Sequence, residues 1–144
     1  MSRFVIFLCV LIFAATGAVA SASTAPLTGA WVLDDGPGSG TSRYLFGAPG
    51  GSDGVRQFTI FDTYATFCED GTHTPGSGSS MTGKGTATTT GPNVSIVVTS
   101  LKCHNGKDLA AFLPLTLGAT LTSAGLDFGG GFVAVRPAAF HATI

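Results

Sequence analysis

Charge is scarce in this chain. Lys, Arg, Asp and Glu make up only 10% of its 144 residues, against the ~25% usual in soluble proteins. Seven basic residues set against eight acidic ones leave a net charge of −1, so no basic patch exists to hold nucleic acid or an anionic membrane surface. Trp and Tyr are also few, one and two respectively, too few for an exposed sugar-stacking platform. No apolar run approaches the ~20 residues that span a bilayer as a helix, and no stretch repeats with helical periodicity. The chain has no G-x-S-x-G, and no serine adjoins a histidine in sequence, so nothing in its order points to a serine-based triad. Catalysis is not expected, and neither is a cofactor or a resident metal.

The most legible feature is at the start. Arg3 supplies a positive n-region, residues 4–15 (FVIFLCVLIFAA) an apolar h-region, and Ala18-Val19-Ala20 or Ala20-Ser21-Ala22 an A-x-A cleavage site. Residues 1–22 therefore read as a signal peptide. They direct a single domain of roughly 122 residues to an extracellular or periplasmic space.

Cys9 leaves with that leader, and it sits too early to be an acylated lipoprotein cysteine, since no small-residue cleavage site precedes it. Cys68 and Cys103 remain, an even pair in an oxidising compartment, and a single disulfide is expected between them. The loop it closes, about 36 residues, corresponds to ~3–4 kcal/mol in the chain-entropy model.

Alternation with a period of two recurs along the mature chain. In 114–122 (PLTLGATLT), Leu115, Leu117, Ala119 and Leu121 face one way and Thr116, Gly118, Thr120 and Thr122 the other. Residues 94–102 repeat the pattern with Val94, Ile96 and Val98. Turn dipeptides punctuate the chain, among them Pro49-Gly50, Asp53-Gly54, Asp70-Gly71, Gly91-Pro92 and Asn105-Gly106. Between them lie about eight strands, at 28–34, 42–47, 55–67, 81–90, 93–102, 112–122, 125–129 and 131–136. One helical turn is expected within 107–113, capped by Asp108. Short strands at even spacing without crossover helices predict an all-β, antiparallel up-and-down meander over 23–136, closed as a small barrel. In such a meander Cys68 follows the third strand and Cys103 the fifth, which puts both at one rim. The loops 35–41, 69–80 and 103–111 share that rim. Residues 71–83 (GTHTPGSGSSMTG) read as a low-complexity loop, and 137–144 as a weakly ordered tail.

The domain opens on LTGAWVL (27–33), with Gly29-Ala30-Trp31, and its last strand, FVAVRP, ends in Arg136. A G-x-W on the first strand and an arginine late in the last resembles the calycin superfamily of lipocalins, avidins and related small secreted barrels. The resemblance implies that Trp31 plugs the closed end and that the Arg136 guanidinium packs across its ring, a contact worth ~2 kcal/mol when desolvated. It also implies that the first and last strands are neighbours, and that the protein binds a small apolar ligand. The match covers the two ends. The central T-D-Y motif of many lipocalins has no counterpart, Phe61-Asp62-Thr63-Tyr64 being only loosely similar. The opening L-x-G-x-W-x-L, the mid-chain cysteine and a strand ending in Cys103 are similar as well to the META domain of bacterial envelope proteins.

Several clusters carry two readings. Cys68-Glu69-Asp70 with His73, and Cys103-His104, have the side chains of a zinc site, but oxidation of the thiols favours a disulfide beside a solvated loop. Asp34-Asp35 and Asp127 have the chemistry of paired carboxylates, yet they stand in turns, where Asp serves the backbone. Gly83-Lys84-Gly85 lacks the helix a phosphate loop needs. Asn93-Val94-Ser95 is a glycosylation sequon, of use only in a eukaryotic export pathway. The interior face is expected to include Phe58, Ile60, Phe67, Val94, Ile96, Val98, Leu115, Leu117 and Leu121. Of these, Phe58, Ile60, Phe67, Val98, Leu115, Leu117 and Leu121 would line a ligand pocket. A monomer that carries a small apolar ligand is the leading expectation. The alternatives are a protein-binding module, such as an extracellular protease inhibitor, and a structural envelope or matrix domain.

Overall fold

The computed structural model describes residues 26–36, 40–51, 54–69 and 80–138. The leader at 1–22 lies outside the described residues, as does the tail beyond Ala138. Eight strands follow one another: β1 (Gly29–Asp34), β2 (Thr41–Phe46), β3 (Arg56–Asp62), β4 (Met81–Thr90), β5 (Asn93–Cys103), β6 (Leu115–Leu121), β7 (Leu126–Asp127) and β8 (Val133–Ala134). They form a single antiparallel sheet in the order β1 to β8. Val32 and Val135 exchange main-chain hydrogen bonds of 2.8 Å in both directions, which brings the last strand onto the first and all but closes the barrel. No helix among the described residues is long and apolar enough to cross a membrane.

Alternation decides the interior, as pleating requires. Ser42, Tyr44 and Phe46 of β2 are buried, with Arg43 and Leu45 exposed between them. Phe58 and Ile60 of β3, and Val94, Ile96 and Val98 of β5, follow the same rule. Trp31, Phe46, Phe58, Ile96 and Leu126 are all but inaccessible and fill the centre. Tyr44 lies with its ring 4.8 Å from Phe128, and Phe46 is 5.1 Å from Phe58.

Four segments depart from the expectation. β3 stops at Asp62 rather than 67, because Asp62 Oδ1 accepts the Tyr64 N–H at 2.8 Å and turns the chain. Residues Thr66–Cys68 then form a 3₁₀ turn that alternation had no means of marking. Phe67 rides on that turn, 50% exposed, and so belongs neither to the interior face nor to a pocket wall. β6 starts at Leu115, after a 3₁₀ turn over Ala110–Phe112 whose first N–H is held by Asp108 Oδ1 at 2.8 Å. β7 and β8 are each two residues long.

The Gly83-Lys84-Gly85 segment has a packing explanation. The β4–β5 register slips between Lys84 and Gly85, a bulge that carries Thr99 as the extra residue. A Cβ on Gly85 would fall 1.9 Å from the Val97 carbonyl oxygen, and one on Gly83 would fall 2.7 Å from Ile60 Cγ2. Only glycine fits at Gly85, where the obstacle is backbone, whereas a side chain at Gly83 would have to displace the Ile60 and Leu101 methyls.

Candidate functional site

The meander gives the barrel two unlike ends. β1 and β3 start at one end, and the turns after β2, β4 and β6 close it. The turns after β1, β3 and β5 share the other.

The first end is sealed. Trp31 is 2% exposed and its Nε1–H donates to the Leu27 carbonyl at 2.8 Å. The Arg136 guanidinium lies 3.9 Å above the centre of the indole ring. It also donates to the carbonyls of Thr28 at 3.0 Å, Ala30 at 3.1 Å and Pro26. Three carbonyls and one ring face therefore replace the water it loses, and burial holds its pKa below the ordinary arginine value. Gly29 has φ +106°, and a side chain there would meet the guanidinium at 3.0 Å, so the glycine and the tryptophan of G-x-W answer to the same arginine. Arg56 completes the base, donating from Nη1 to Thr28 Oγ1 at 2.5 Å and to the Gly47 carbonyl at 3.3 Å.

The second end is braced by the disulfide. Cys68 and Cys103 are bonded, with Cα atoms 5.5 Å apart, so their thiolates are not available to a metal. The bridge reaches over Met81, the β4 residue paired with Cys103. Ala65, Cys68, Met81, Cys103 and Leu109 form a second small core under the rim loops. Asn105 Nδ2 donates to the Cys68 carbonyl at 2.6 Å, and Lys107 Nζ donates to the Glu69 carbonyl. Asp70 and His73, the other residues of the zinc alternative, lie outside the described residues. Phe67 and Phe112, each about half exposed, meet on the two 3₁₀ turns beside the bridge with ring centres 5.8 Å apart and planes tilted by 58°.

Toward this end the apolar side chains are of two kinds. Leu101, Leu113, Leu115 and Leu117 pack against the core yet stay part-exposed. Phe58, Ile60 and Val98, expected as pocket walls, are buried in the core beneath them, while Leu121 is part-exposed at the far end of β6. Across the barrel, Ser42 Oγ donates to Asp35 Oδ2 at 3.0 Å and stands opposite Asp62 in the β2–β3 register. Burial raises the Asp62 carboxyl above 3.8, the bond from the Tyr64 N–H opposes this, and the Asp35 charge adds to the rise. Asp35 is raised too, mainly by burial. The Tyr44 hydroxyl is pushed up to about 12, first by burial and then by Asp35 and Asp62.

These shifts carry a sign. A carboxyl whose value is raised by folding binds its proton more tightly in the folded state, so stability falls as pH climbs from 3.8 through the raised value. Asp62→Asn keeps the acceptor for Tyr64 and removes the charge. It is expected to raise the thermal midpoint at neutral pH and to leave it unchanged below about pH 3, where both side chains are neutral. A midpoint lowered at neutral pH would contradict this.

The other candidates resolve into structural roles. Asp34 Oδ1 accepts the Gly36 N–H at 3.0 Å, and Asp127 Oδ1 accepts the Gly129 N–H at 2.7 Å, both as turn residues. Asn93 is exposed at the start of β5. One pairing was invisible in sequence: Ser80 Oγ and His104 Nδ1 hydrogen-bond at 2.6 Å. The other ring nitrogen faces Thr82 Oγ1 at 3.4 Å and the bond is solvent-exposed; among the described residues no carboxylate bonds this ring to orient it as the base that makes such a serine nucleophilic.

Comparison with protein-family models, with curated proteins and with solved structures finds no match to this chain.

Proposed function

We propose that this is an exported, non-catalytic binding protein, similar in design to the lipocalins, which holds a small apolar molecule at the open mouth of its barrel. The supporting observation is the asymmetry of the interior. One end is sealed by Trp31 and Arg136, with Leu121 part-exposed beside it, whereas four leucines toward the other, Leu101, Leu113, Leu115 and Leu117, remain part-exposed. Apolar side chains turned inward but left in contact with water gain from an apolar guest, at about 25 cal/mol per Å² covered. Because Phe58 and Ile96 are already buried in a filled centre, the guest of this proposal sits at the rim rather than deep in the barrel. A second role has its own observation: the tilted Phe67–Phe112 pair on a braced rim has the exposed aromatic character of a protein contact.

Titration with an apolar fluorescent naphthalene sulfonate separates the two. Saturable binding is expected, weakened about a hundredfold or more by Leu117→Arg, since a guanidinium in the mouth has no partner for its charge. Phe112→Ser is expected to leave it unchanged. Insensitivity to Leu117→Arg together with loss on Phe112→Ser would move the function to the aromatic pair.

A further inference from the structure

The ladder between β6 and β7 stops after two pairs, Thr120 with Asp127 and Leu121 with Leu126. Along the rest of β6, Leu115–Ala119, no described strand pairs on that side. The direction of its main-chain groups follows from two bonds. Leu121 N–H donates back to the Pro92 carbonyl beside β5, and Thr122 N–H donates forward to the Gly125 carbonyl. Odd positions of β6 therefore face β5, and the even ones, Thr116 and Gly118, turn their N–H and C=O groups to the open edge. Both residues are exposed, and nothing lies within 4 Å of a Cβ built on Gly118. A concavity of about 400 Å³ lies at this fork, bounded by Gly118, Ala119 and Thr120 and by Asp127, Phe128 and Gly129. Proteins ordinarily blunt an open edge with lysine, proline or an inward charge. The stretch Leu115–Ala119, LTLGA, contains none of these.

We propose that this edge of β6 takes up a short extended peptide of another protein, which adds as an antiparallel strand and continues the ladder where β7 leaves it. Thr116 and Gly118 each present a donor and an acceptor, spaced by the ~6.8 Å of alternate residues on a strand. The ligand that matches such a row is another extended main chain. Pleating then sets its side chains: residues on the same face as Leu115 and Leu117 are apolar, and those beside Thr116 and Gly118 are small or hydroxylated. A second copy of this chain does not fit the length. An edge of about 15 Å buries far less than the ~800 Å² per partner of a stable dimer. The inference rests on the main-chain groups of β6 rather than on the apolar site, although the peptide's apolar residues share Leu115 and Leu117 with it, and its test reads main-chain amides.

The test uses the full chain labelled with ¹⁵N and a short peptide of alternating valine and threonine. Binding is expected to shift the amide signals of Thr116 and Gly118 above all others and to slow their hydrogen exchange. The same peptide with alternate main-chain nitrogens methylated is expected not to bind. Thr116→Pro removes a donor that faces solvent, a change edge strands tolerate, and is expected to weaken binding by about tenfold or more. Thr116→Val is expected to leave it intact. The proposal is overturned if the methylated peptide binds as well, if the perturbed amides lie elsewhere, or if the unmethylated peptide does not bind. It is overturned too if the two amides are already protected in a dimer of this chain.

Discussion

Trp31→Ala is expected to destabilise the protein by about 3–5 kcal/mol, the range for removing a large buried aromatic side chain. Three losses coincide at this position. The indole is 2% exposed at the centre of the core cluster, so truncation leaves a void among Leu27, Phe46, Leu126 and their neighbours. The Leu27 carbonyl loses the indole N–H that reaches it at 2.8 Å. Arg136 keeps its carbonyl partners but loses the ring 3.9 Å beneath it, and a part-buried cation that loses one of its partners costs more than an exposed one. Domains of this size have a net stability of about 5–15 kcal/mol, so the variant should unfold at a sharply lower denaturant midpoint. Trp31→Phe restores most of the volume but not the N–H and should fall between. A Trp31→Ala protein as stable as the parent would show that the base is not where the fold is held.

Opening the disulfide is expected to cost ~3–4 kcal/mol. The bridge joins residues 35 apart in sequence, and both cysteines are buried with Ala65, Met81 and Leu109. Cys68→Ala/Cys103→Ala should therefore lower the denaturant midpoint strongly while leaving the strand order intact. Its loss should also be uneven. Amide hydrogen exchange should accelerate in Ala65–Glu69 and in His104–Phe112, which the bridge and its small core tie down. The Val32–Val135 closure, at the sealed end, should keep its protection. Equal acceleration throughout would mean that the rim and the barrel unfold as one unit.

How far the sequence alone reveals this protein differs by element, and the physics explains the difference. β4 and β5 are legible almost to the residue because an unbroken alternation of small or β-branched side chains has no competing helical reading. β3 is overestimated because Phe67 extends the apolar pattern, whereas the turn is made by a single Asp62 carboxylate on the Tyr64 N–H. β7 and β8 shrink to two residues each around a glycine turn, where pattern holds little information. Tyr44, Phe46 and Phe128 fill the interior although TSRYLF already carries the alternation that places two of them. Tyr44 and Phe46 are nonetheless absent from the expected interior face, and no pattern marks Phe128, which folds back onto Tyr44. The disulfide follows from an even cysteine pair and strand parity. The contact between Trp31 and Arg136 is different in kind: no spacing rule joins residues at opposite ends of a chain, and only the resemblance of G-x-W and a late arginine to small closed barrels implied it. Ser80 and His104 stand opposite each other just past the end of the β4–β5 ladder, a pairing that the bulge at Thr99 shifts by one residue from the register a regular hairpin would give.

The seal between the first and last strands governs which end of the barrel is open, and hence where a guest is held. A double-mutant cycle on Trp31→Phe and Arg136→Met, read by denaturant unfolding, tests it most directly. Stacking of the guanidinium on the indole predicts a coupling energy of about 1–2 kcal/mol between the two positions. Strictly additive losses would mean that ring and guanidinium do not touch in solution, and that the end taken as sealed is not closed by them.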